Sequence, residues 1–241
     1  MSERLVLYAA KFSPYVESVE LALAVVNAKY TTHDISLDDK PAWYTEKINP
    51  AGLVPAITYG GPVGSPENPS PEAFKLAEST VILTFIADLY PNSSLLPQDP
   101  KLRANAHFFI YQIVDKIVPT FREILIKQLP AERLLQAFEE VQRWMHPDHT
   151  KLIVGSDLTI ADASFIPLAW RFEVLMKHDI GSYPAGEGIK AYKTYADDPK
   201  FARLRAYLAV VKARPDFQLF NDEAGLVKHS SRVNVLRAAT V

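Results

Sequence analysis

The hydrophobic positions near the start of the chain follow two different spacings. A short apolar run at residues 5–8 has the length and composition of a strand. Apolar residues then recur at steps of three and four, the spacing of one helical face, at Val16, Val19, Leu23 and Val26. Residues 30–35 are again rich in strand-favouring side chains. The order strand, helix, strand predicts a parallel βαβ unit.

Ser13 and Pro14 lie where the loop after the first strand meets this helix. Serine is a favoured N-cap residue, and proline suits the first helical position. The unpaired backbone N–H groups and the dipole at a helix start favour an anion. The local sequence leaves two interpretations open: Ser13 only caps the helix, or its hydroxyl also faces a bound anion.

The next part of the chain predicts short elements separated by turns. Residues 49–52 have the composition of a turn. Pro55 interrupts the extended run that follows, and it belongs at a strand's first residue or at a sheet edge because it has no N–H to donate. A loop rich in Gly, Pro and Ser at residues 60–71 precedes a short predicted strand at 73–76.

Glu78 and Ser79 open a second predicted helix. Its apolar stripe is formed by Ile82, Phe85, Ile86 and Leu89. Pro91 ends this helix, and Ser79 is of an N-cap type. The pattern therefore predicts a hydroxyl and a carboxylate at a second helix start.

Beyond a linker at residues 95–100, strand patterns disappear and helical spacing dominates. Two apolar faces are formed by Leu102, Ala106, Phe109, Ile113, Ile117 and Phe121, and by Leu134, Leu135, Phe138, Val141 and Met145. Pro119 predicts a kink or a break. Thr159 and Asp162 form a capping-box pattern before another apolar run. The fold class is therefore α/β followed by all-α.

The amino-acid composition excludes several classes of function. With 241 residues, 48% hydrophobic residues and a formal charge of −2, the chain has no charge footprint for nucleic acid or a membrane surface. We expect a cytoplasmic protein, because no apolar segment approaches about 18 residues and no secretory signal is evident. The sequence has no cysteine, which excludes disulfides, thiolate metal sites and a thiol nucleophile of its own. His146 and His149 lack a third ligand, so we expect no metal site.

Four elements occur together in the first half, namely Ser13-Pro-Tyr, Lys40-Pro-Ala-Trp-Tyr, Asn49-Pro-x-Gly-x-Val-Pro-Ala and Glu78-Ser79. With the Thr-x-Ala-Asp element at 159–162, they make the chain resemble cytosolic glutathione transferases, and the Lys-Pro-x-Trp element points to the omega-like group. The resemblance implies a thioredoxin-like glutathione-binding domain at residues 1–92 and an all-helical domain at 101–241 that lines the second-substrate cleft. It also implies a homodimer.

The resemblance implies a glutathione site formed by Ser13, Lys40, Val54, Pro55, Glu78 and Ser79. Ser13 would face the thiol, Lys40 the glycyl carboxylate, and the Val54 backbone the cysteinyl unit. Glu78 and Ser79 would hold the amine and carboxylate of the γ-glutamyl unit, which needs an acceptor and donors side by side. Taken singly, Lys40 also fits a solvated surface amine and Glu78 a carboxylate stabilised by the helix dipole. The four elements together favour the glutathione site.

Omega-like members typically carry cysteine where this chain has Ser13, so thiol-transferase and reductase chemistry is not expected. A serine hydroxyl can instead donate a hydrogen bond to a bound thiolate. Lowering a thiol pKa by roughly two units requires about 2.7 kcal/mol. A hydrogen bond to a charged group contributes about 1.5–3 kcal/mol and the helix dipole about 0.3–1 kcal/mol. Ser13 is therefore the candidate catalytic residue for conjugating small aromatic electrophiles with the cosubstrate glutathione.

No sequence motif identifies the residues of the second-substrate cleft. The residues that we expect to line it are Phe12, Tyr15, Tyr111, Trp170 and Arg171. Helical aromatic residues are usually core, whereas Tyr15 lies one turn into the helix that presents Ser13. An alternative function is a binding protein (a ligandin) that carries aromatic small molecules in the same cleft with little or no chemistry.

Overall fold

The computed structural model describes residues 4–62, 64–219 and 221–232. The chain divides into two compact units, Met1–Leu96 and Pro97–Val241. The domain limits expected from the sequence, 1–92 and 101–241, stay predictions. Their first three and last nine residues lie outside the described ranges.

The described part of the first unit forms a mixed four-stranded sheet with helices. Its elements are β1 Leu5–Ala9, α1 Pro14–Val25, β2 Thr31–Asp34, α2 Ala42–Lys47, β3 Ala56–Tyr59, β4 Phe74–Ala77 and α3 Ser79–Leu89. The strand order is β2-β1-β3-β4, with β1 and β2 parallel and the other two pairs antiparallel. The predicted βαβ unit and the thioredoxin-like fold of this region are confirmed.

Helix α1 begins where the local sequence predicts. Ser13 is the N-cap with extended backbone angles, and Pro14 is the first helical residue. The helix packs against α3. Of the apolar positions predicted from its spacing, Val16, Val19 and Leu23 are buried. Val26 is only half-buried, because the helix ends at Val25 and Val26 is its C-cap. Burial of these apolar side chains in the first unit stabilises the helix more than its intrinsic helix propensity does.

The start of α3 differs from the prediction by one residue. Glu78 occupies the N-cap position, its side chain makes no capping hydrogen bond, and Ser79 is the first helical residue. The reason is that β4 continues to Ala77, so the turn from strand to helix falls on Glu78. The Glu78 backbone consequently adopts φ 70° and ψ 110°. Pro55 directly precedes β3, as a residue without an N–H should.

The described part of the second unit is helical. Its α-helices are α4 Pro100–Gln112, α5 Val118–Ile126, α6 Glu132–Val141, α7 Ile160–Lys177, α8 Glu187–Asp197, α9 Ala202–Lys212 and α10 Glu223–Ser230. A π-helical turn at Ile113–Ile117 joins α4 to α5. Short 3-10 turns lie at Gln142–Trp144, Pro199–Phe201 and Pro215–Leu219. The predicted all-α region is confirmed.

Helix α7 is the centre of this unit and packs against α4, α8, α9 and α10. Its predicted capping box is present, because the Thr159 side chain and Asp162 exchange hydrogen bonds with each other's backbone. Pro119 lies near the start of α5, so the helix is interrupted by the π-helical turn before it. The two predicted apolar faces are buried except for Leu102, which is exposed. Among the described residues, none of the helices has the length and apolar character to cross a membrane.

Candidate functional site

The sheet register brings three predicted site segments to one edge of the sheet. Tyr8 near the end of β1 pairs with Ala56, the first residue of β3, and Ala56 pairs with Ala77, the last residue of β4. The loop that leads from β1 to α1, the Val54–Pro55 segment and the Glu78–Ser79 segment therefore all leave the sheet at this edge. Residues far apart in the sequence become neighbours through strand pairing alone.

Ser13 presents its hydroxyl at the N-terminus of α1. Its Oγ accepts from the Val16 amide at 3.4 Å, which is longer than a normal capping bond. Within the described ranges, no group accepts the Ser13 hydroxyl proton. The preceding residue, Phe12, has φ 62°, and the Lys11 ammonium lies 4.8 Å from the centre of the Phe12 ring. The hydroxyl and the helix N-terminus together favour a negatively charged partner.

The Val54–Pro55 segment leaves the sheet at the same edge as the loop that carries Ser13, and it presents backbone groups there. The Val54–Pro55 peptide bond is cis. In the part of the chain that the structure describes, the Val54 amide and carbonyl have no hydrogen-bond partner. The residue before it is held firmly, because the Leu53 carbonyl accepts from Tyr44 Oη at 2.6 Å and from Asn49 Nδ2 at 2.8 Å.

Lys40 lies against Gly52 at the turn that leads to this segment. Gly52 has φ +63°, and a Cβ there would lie 3.1 Å from both Lys40 Cδ and Lys40 Nζ. Only glycine adopts this backbone conformation without strain and leaves room for the lysine. The turn thus keeps the exposed Lys40 ammonium against Gly52, two residues before Val54 in the chain.

Glu78 and Ser79 join the end of β4 to α3. Glu78 is exposed and has a positive φ, which is a strained conformation for a residue with a Cβ. No side-chain partner of Ser79 is found among the described residues. A carboxylate, a hydroxyl and the first amides of a helix therefore lie side by side, an arrangement that can hold an amine and a carboxylate together.

The residues predicted for a second-substrate cleft belong to both units. Phe12 and Tyr15 are half-buried in the first unit. In the second unit, the Tyr111 side chain on α4 is 63% exposed, whereas Trp170 and Arg171 on α7 are 3% and 5% exposed. Trp170 packs edge to face on Phe217. Their assignment to a ligand cleft stays a prediction.

Sequence reasoning missed three residues that shape the site: Tyr44, Asn49 and Gly52. The Asn49 amide occurs in the quoted turn element, but its partner, the Leu53 carbonyl, can be identified only from the fold. Tyr44 is fully buried on α2, and its burial raises the pKa of its hydroxyl, which therefore stays a hydrogen-bond donor. A glycine in an Asn-Pro-x-Gly turn was the one available signal for the positive φ at Gly52.

No group of three or more His, Asp or Glu side chains that could hold a metal ion occurs within residues 4–62, 64–219 and 221–232. The polar groups at the sheet edge are instead a hydroxyl, an ammonium, a carboxylate and backbone amides. This set suits a charged peptide-like ligand with an anionic atom near Ser13.

Comparison with known proteins identifies the family of the chain. Residues 7–94 match the family model described as "Glutathione S-transferase, N-terminal domain". The structure is similar to glutathione transferase Omega 1C from Trametes versicolor, with 40% identity, a TM-score of 0.90 and coverage of 97% of this chain and 98% of that one. It is also similar to Omega 2S from the same fungus in complex with 2,4-dihydroxybenzophenone, with 33% identity, a TM-score of 0.87 and coverage of 98% and 100%.

A curated relative gives the same assignment. Glutathione S-transferase omega-1 from Sus scrofa is 25% identical over 175 residues, which is 70% of this chain and 67% of that protein. The chain therefore belongs to the glutathione transferase family. Within that family, its relatives place it with the omega class.

Proposed function

We propose that this chain binds glutathione along the described sheet edge and that Ser13 stabilises the glutathione thiolate for attack on small hydrophobic or aromatic electrophiles. The observation that carries the proposal is the meeting of three segments at one sheet edge, with the Ser13 hydroxyl at the N-terminus of α1. Membership of the glutathione transferase family supports glutathione as the cosubstrate.

The proposed chemistry is ionisation followed by nucleophilic attack. The glutathione thiol loses its proton to water, and the Ser13 O–H donates a hydrogen bond to the resulting sulfur anion. The N-terminus of α1 adds to this stabilisation. The sulfur lone pair then forms a bond to an electrophilic carbon, and the leaving group departs with its electron pair. Ser13 forms no covalent bond during the reaction.

The other site residues bind the rest of the tripeptide in this proposal. The Val54 amide and carbonyl pair with the cysteinyl backbone, and Pro55 places this segment directly before β3. Glu78 accepts from the γ-glutamyl amine, Ser79 and its amide donate to the carboxylate beside it, and Lys40 pairs with the glycyl carboxylate. These contacts hold the sulfur near Ser13. Binding energy from the non-reacting parts of glutathione therefore positions the reacting sulfur.

The serine at position 13 decides which chemistry this chain performs itself. A thiol-transferase or reductase reaction needs an enzyme thiolate that forms a mixed disulfide with the substrate. The sequence contains no cysteine, so this chain supplies no such thiolate. A carbon electrophile needs no second thiol and fits the residues that are present.

A binding protein for aromatic small molecules is the second candidate function. It is favoured by the complex of the 33% identical Trametes versicolor protein with 2,4-dihydroxybenzophenone. In this alternative, the chain binds the aromatic ligand and glutathione turnover is slow or absent.

The two functions are separated by one set of measurements on the whole protein. Calorimetry with glutathione tests the binding site, and the ultraviolet absorbance of the bound thiolate, followed against pH, tests its ionisation. Turnover is then measured with an activated aryl halide. The transferase proposal expects binding, a bound thiol pKa well below the free value, and turnover. Stabilisation by a dihydroxybenzophenone without turnover supports the binding protein, and absence of glutathione binding rules out the transferase.

The homodimer and the cytoplasmic location expected from the resemblance are part of the same proposal. Sedimentation of the purified protein tests the first, and fractionation of the producing cells tests the second.

A further inference from the structure

The Leu53 carbonyl lies between two buried donors. Tyr44 Oη donates to it at 2.6 Å, and Asn49 Nδ2 donates to it at 2.8 Å. Tyr44 is 0% exposed and Asn49 is 5% exposed. Removing either donor takes away one of the two hydrogen bonds that hold the carbonyl and leaves the other buried side chain as its single donor here. With both donors in place, the carbonyl has little freedom to rotate.

This carbonyl and the Val54 amide belong to one planar peptide unit. In a trans peptide the C=O and the following N–H point in opposite directions, and rotation about the bond between them is strongly hindered. Among the described residues, the cis form occurs only at Val54–Pro55, so the Leu53–Val54 unit is trans. Two donors that hold the carbonyl therefore also set the direction of the Val54 N–H, which has no acceptor in the described part of the chain.

The same residues hold the turn before Val54. Asn49 Oδ1 accepts from the Ala51 amide at 3.1 Å, and the Asn49 carbonyl accepts from the Gly52 amide at 2.8 Å. The Asn49 amide in turn donates to the Tyr44 carbonyl at 3.0 Å. The end of α2, the turn and the Leu53 peptide are thus one hydrogen-bonded piece, and it also contains Gly52, against which Lys40 lies.

We propose that Tyr44 and Asn49 are positioning residues for the glutathione site. By holding the Leu53 carbonyl inward they direct the Val54 N–H outward, toward the cysteinyl unit of glutathione. Neither side chain contacts the ligand in this assignment. The inference rests on the proposed function, because it concerns how the same site is built.

Tyr44→Phe is the test variant, since it keeps the buried ring and removes one donor. Tyr183→Phe is the matched control. Tyr183 is also 0% exposed, and its hydroxyl donates to the Ile180 carbonyl at 2.8 Å, but it lies in the second unit. Both variants lose one buried tyrosine hydroxyl, so their melting temperatures are expected to fall by similar amounts. Asn49→Ala is a second test variant, which also releases the Ala51 amide.

In Tyr44→Phe the Kd and KM for glutathione are expected to rise about three- to tenfold, the range that one lost hydrogen bond allows. The kcat at saturating glutathione and the pKa of the bound thiol stay as in the wild type, because Ser13 is untouched. In the ligand-free protein, the Val54 amide exchanges with solvent faster. Tyr183→Phe changes none of these readouts, and Asn49→Ala weakens binding at least as much as Tyr44→Phe.

Two results overturn the inference while leaving the proposed function in place. One is a Tyr44→Phe protein that binds glutathione within twofold of the wild type, and the other is an equal loss in Tyr183→Phe. If the wild type itself binds no glutathione, the proposed function fails and the positioning role fails with it.

Discussion

The Ser13 hydroxyl oxygen lies 3.4 Å from the Val16 amide nitrogen, beyond the usual range for an N–H···O bond. The cap of α1 is therefore a weak one, although serine is among the best capping residues. Pro14 and the buried apolar stripe define the helix start without much help from the hydroxyl. A substitution at Ser13 can accordingly report on chemistry with little interference from stability.

Ser13→Ala is expected to raise the pKa of bound glutathione by about one to two units, because one hydrogen bond to a charged sulfur is lost. Turnover at neutral pH should fall by about tenfold or more, while stability falls by no more than about 0.5 kcal/mol. Titration of the bound thiolate and urea unfolding measure the two effects. Ser18→Ala is the control, since Ser18 Oγ donates to the Pro14 carbonyl at 2.9 Å in the same helix. Unchanged turnover in Ser13→Ala would remove Ser13 from catalysis.

Glu78 is held in a strained backbone conformation, which suggests that its position serves binding. Glu78→Gly should relieve strain of about 1–3 kcal/mol, offset by about 0.4–1 kcal/mol of extra unfolded-state entropy. The variant should therefore be more stable by about 1 kcal/mol and bind glutathione about tenfold more weakly or worse. Glu78→Gln keeps the strain and should lose affinity alone. Thermal unfolding and calorimetry measure both, and wild-type affinity in Glu78→Gly would contradict the assigned role.

Gly52→Ala should disturb both the turn and Lys40. A Cβ at this φ of +63° costs about 1 kcal/mol of stability, and it lies close enough to displace the Lys40 side chain. We expect the Kd for glutathione to rise severalfold. Gly186→Ala separates the two effects, because Gly186 also has a positive φ, +88°, but nothing lies within 4 Å of its added Cβ. That control should lose stability and keep its affinity for glutathione. Equal affinity losses in the two variants would argue against a role of Lys40 in binding glutathione.

Glu20 on α1 should make stability depend on pH. Burial, and then the Glu17 and Asp34 carboxylates, raise its pKa to about 7. Since the folded state disfavours the charged form, the contribution of Glu20 to stability is fully present below about pH 4.5 and is lost as the pH rises through about 7. Glu20→Gln should therefore match the wild type at pH 4 and melt about 3–6 °C higher at pH 8, allowing for partial exposure.

The control for Glu20 is Glu46→Gln, which makes the same change of charge at an exposed position. Differential scanning calorimetry at both pH values measures the effect. A Glu20→Gln advantage of the same size at pH 4 and pH 8 would show that ionisation of Glu20 is not its cause.

Asp162 should be the most sensitive position of the second unit. Its buried carboxylate accepts from the Ile153 amide, from the Thr159 amide and hydroxyl, and from Tyr207 Oη, at 2.9–3.2 Å. Asp162→Ala leaves these donors unpaired and should cost about 3–5 kcal/mol. Tyr207→Phe removes one donor and should cost about 1 kcal/mol. Denaturant unfolding measures the loss of stability in both variants. A loss of only about 1 kcal/mol in Asp162→Ala would mean that the capping box does not organise this unit.

Local signals predicted the helix starts well because each depends on a few adjacent residues. Ser13 with Pro14, and Thr159 with Asp162, act within one helical turn. The same reasoning failed by one residue at Ser79, since the end of β4 is set by its pairing with β3. It also failed at Leu102, which keeps the helical spacing but lies on an exposed side of α4. Periodicity identifies a face without saying which elements will cover it.

The amino-acid sequence by itself determined the order of elements, the α/β-then-helical organisation, the serine at the start of α1 and the absence of any thiol nucleophile in the chain. Only the tertiary structure decided that the Val54 and Glu78 segments leave the sheet at the edge where Ser13 stands, and that Tyr44 and Asn49 share the Leu53 carbonyl. The physical reason is the separation along the chain of the residues that each interaction joins. Capping and periodicity act between near neighbours, whereas strand register and buried hydrogen bonds join residues that meet only after the chain has folded.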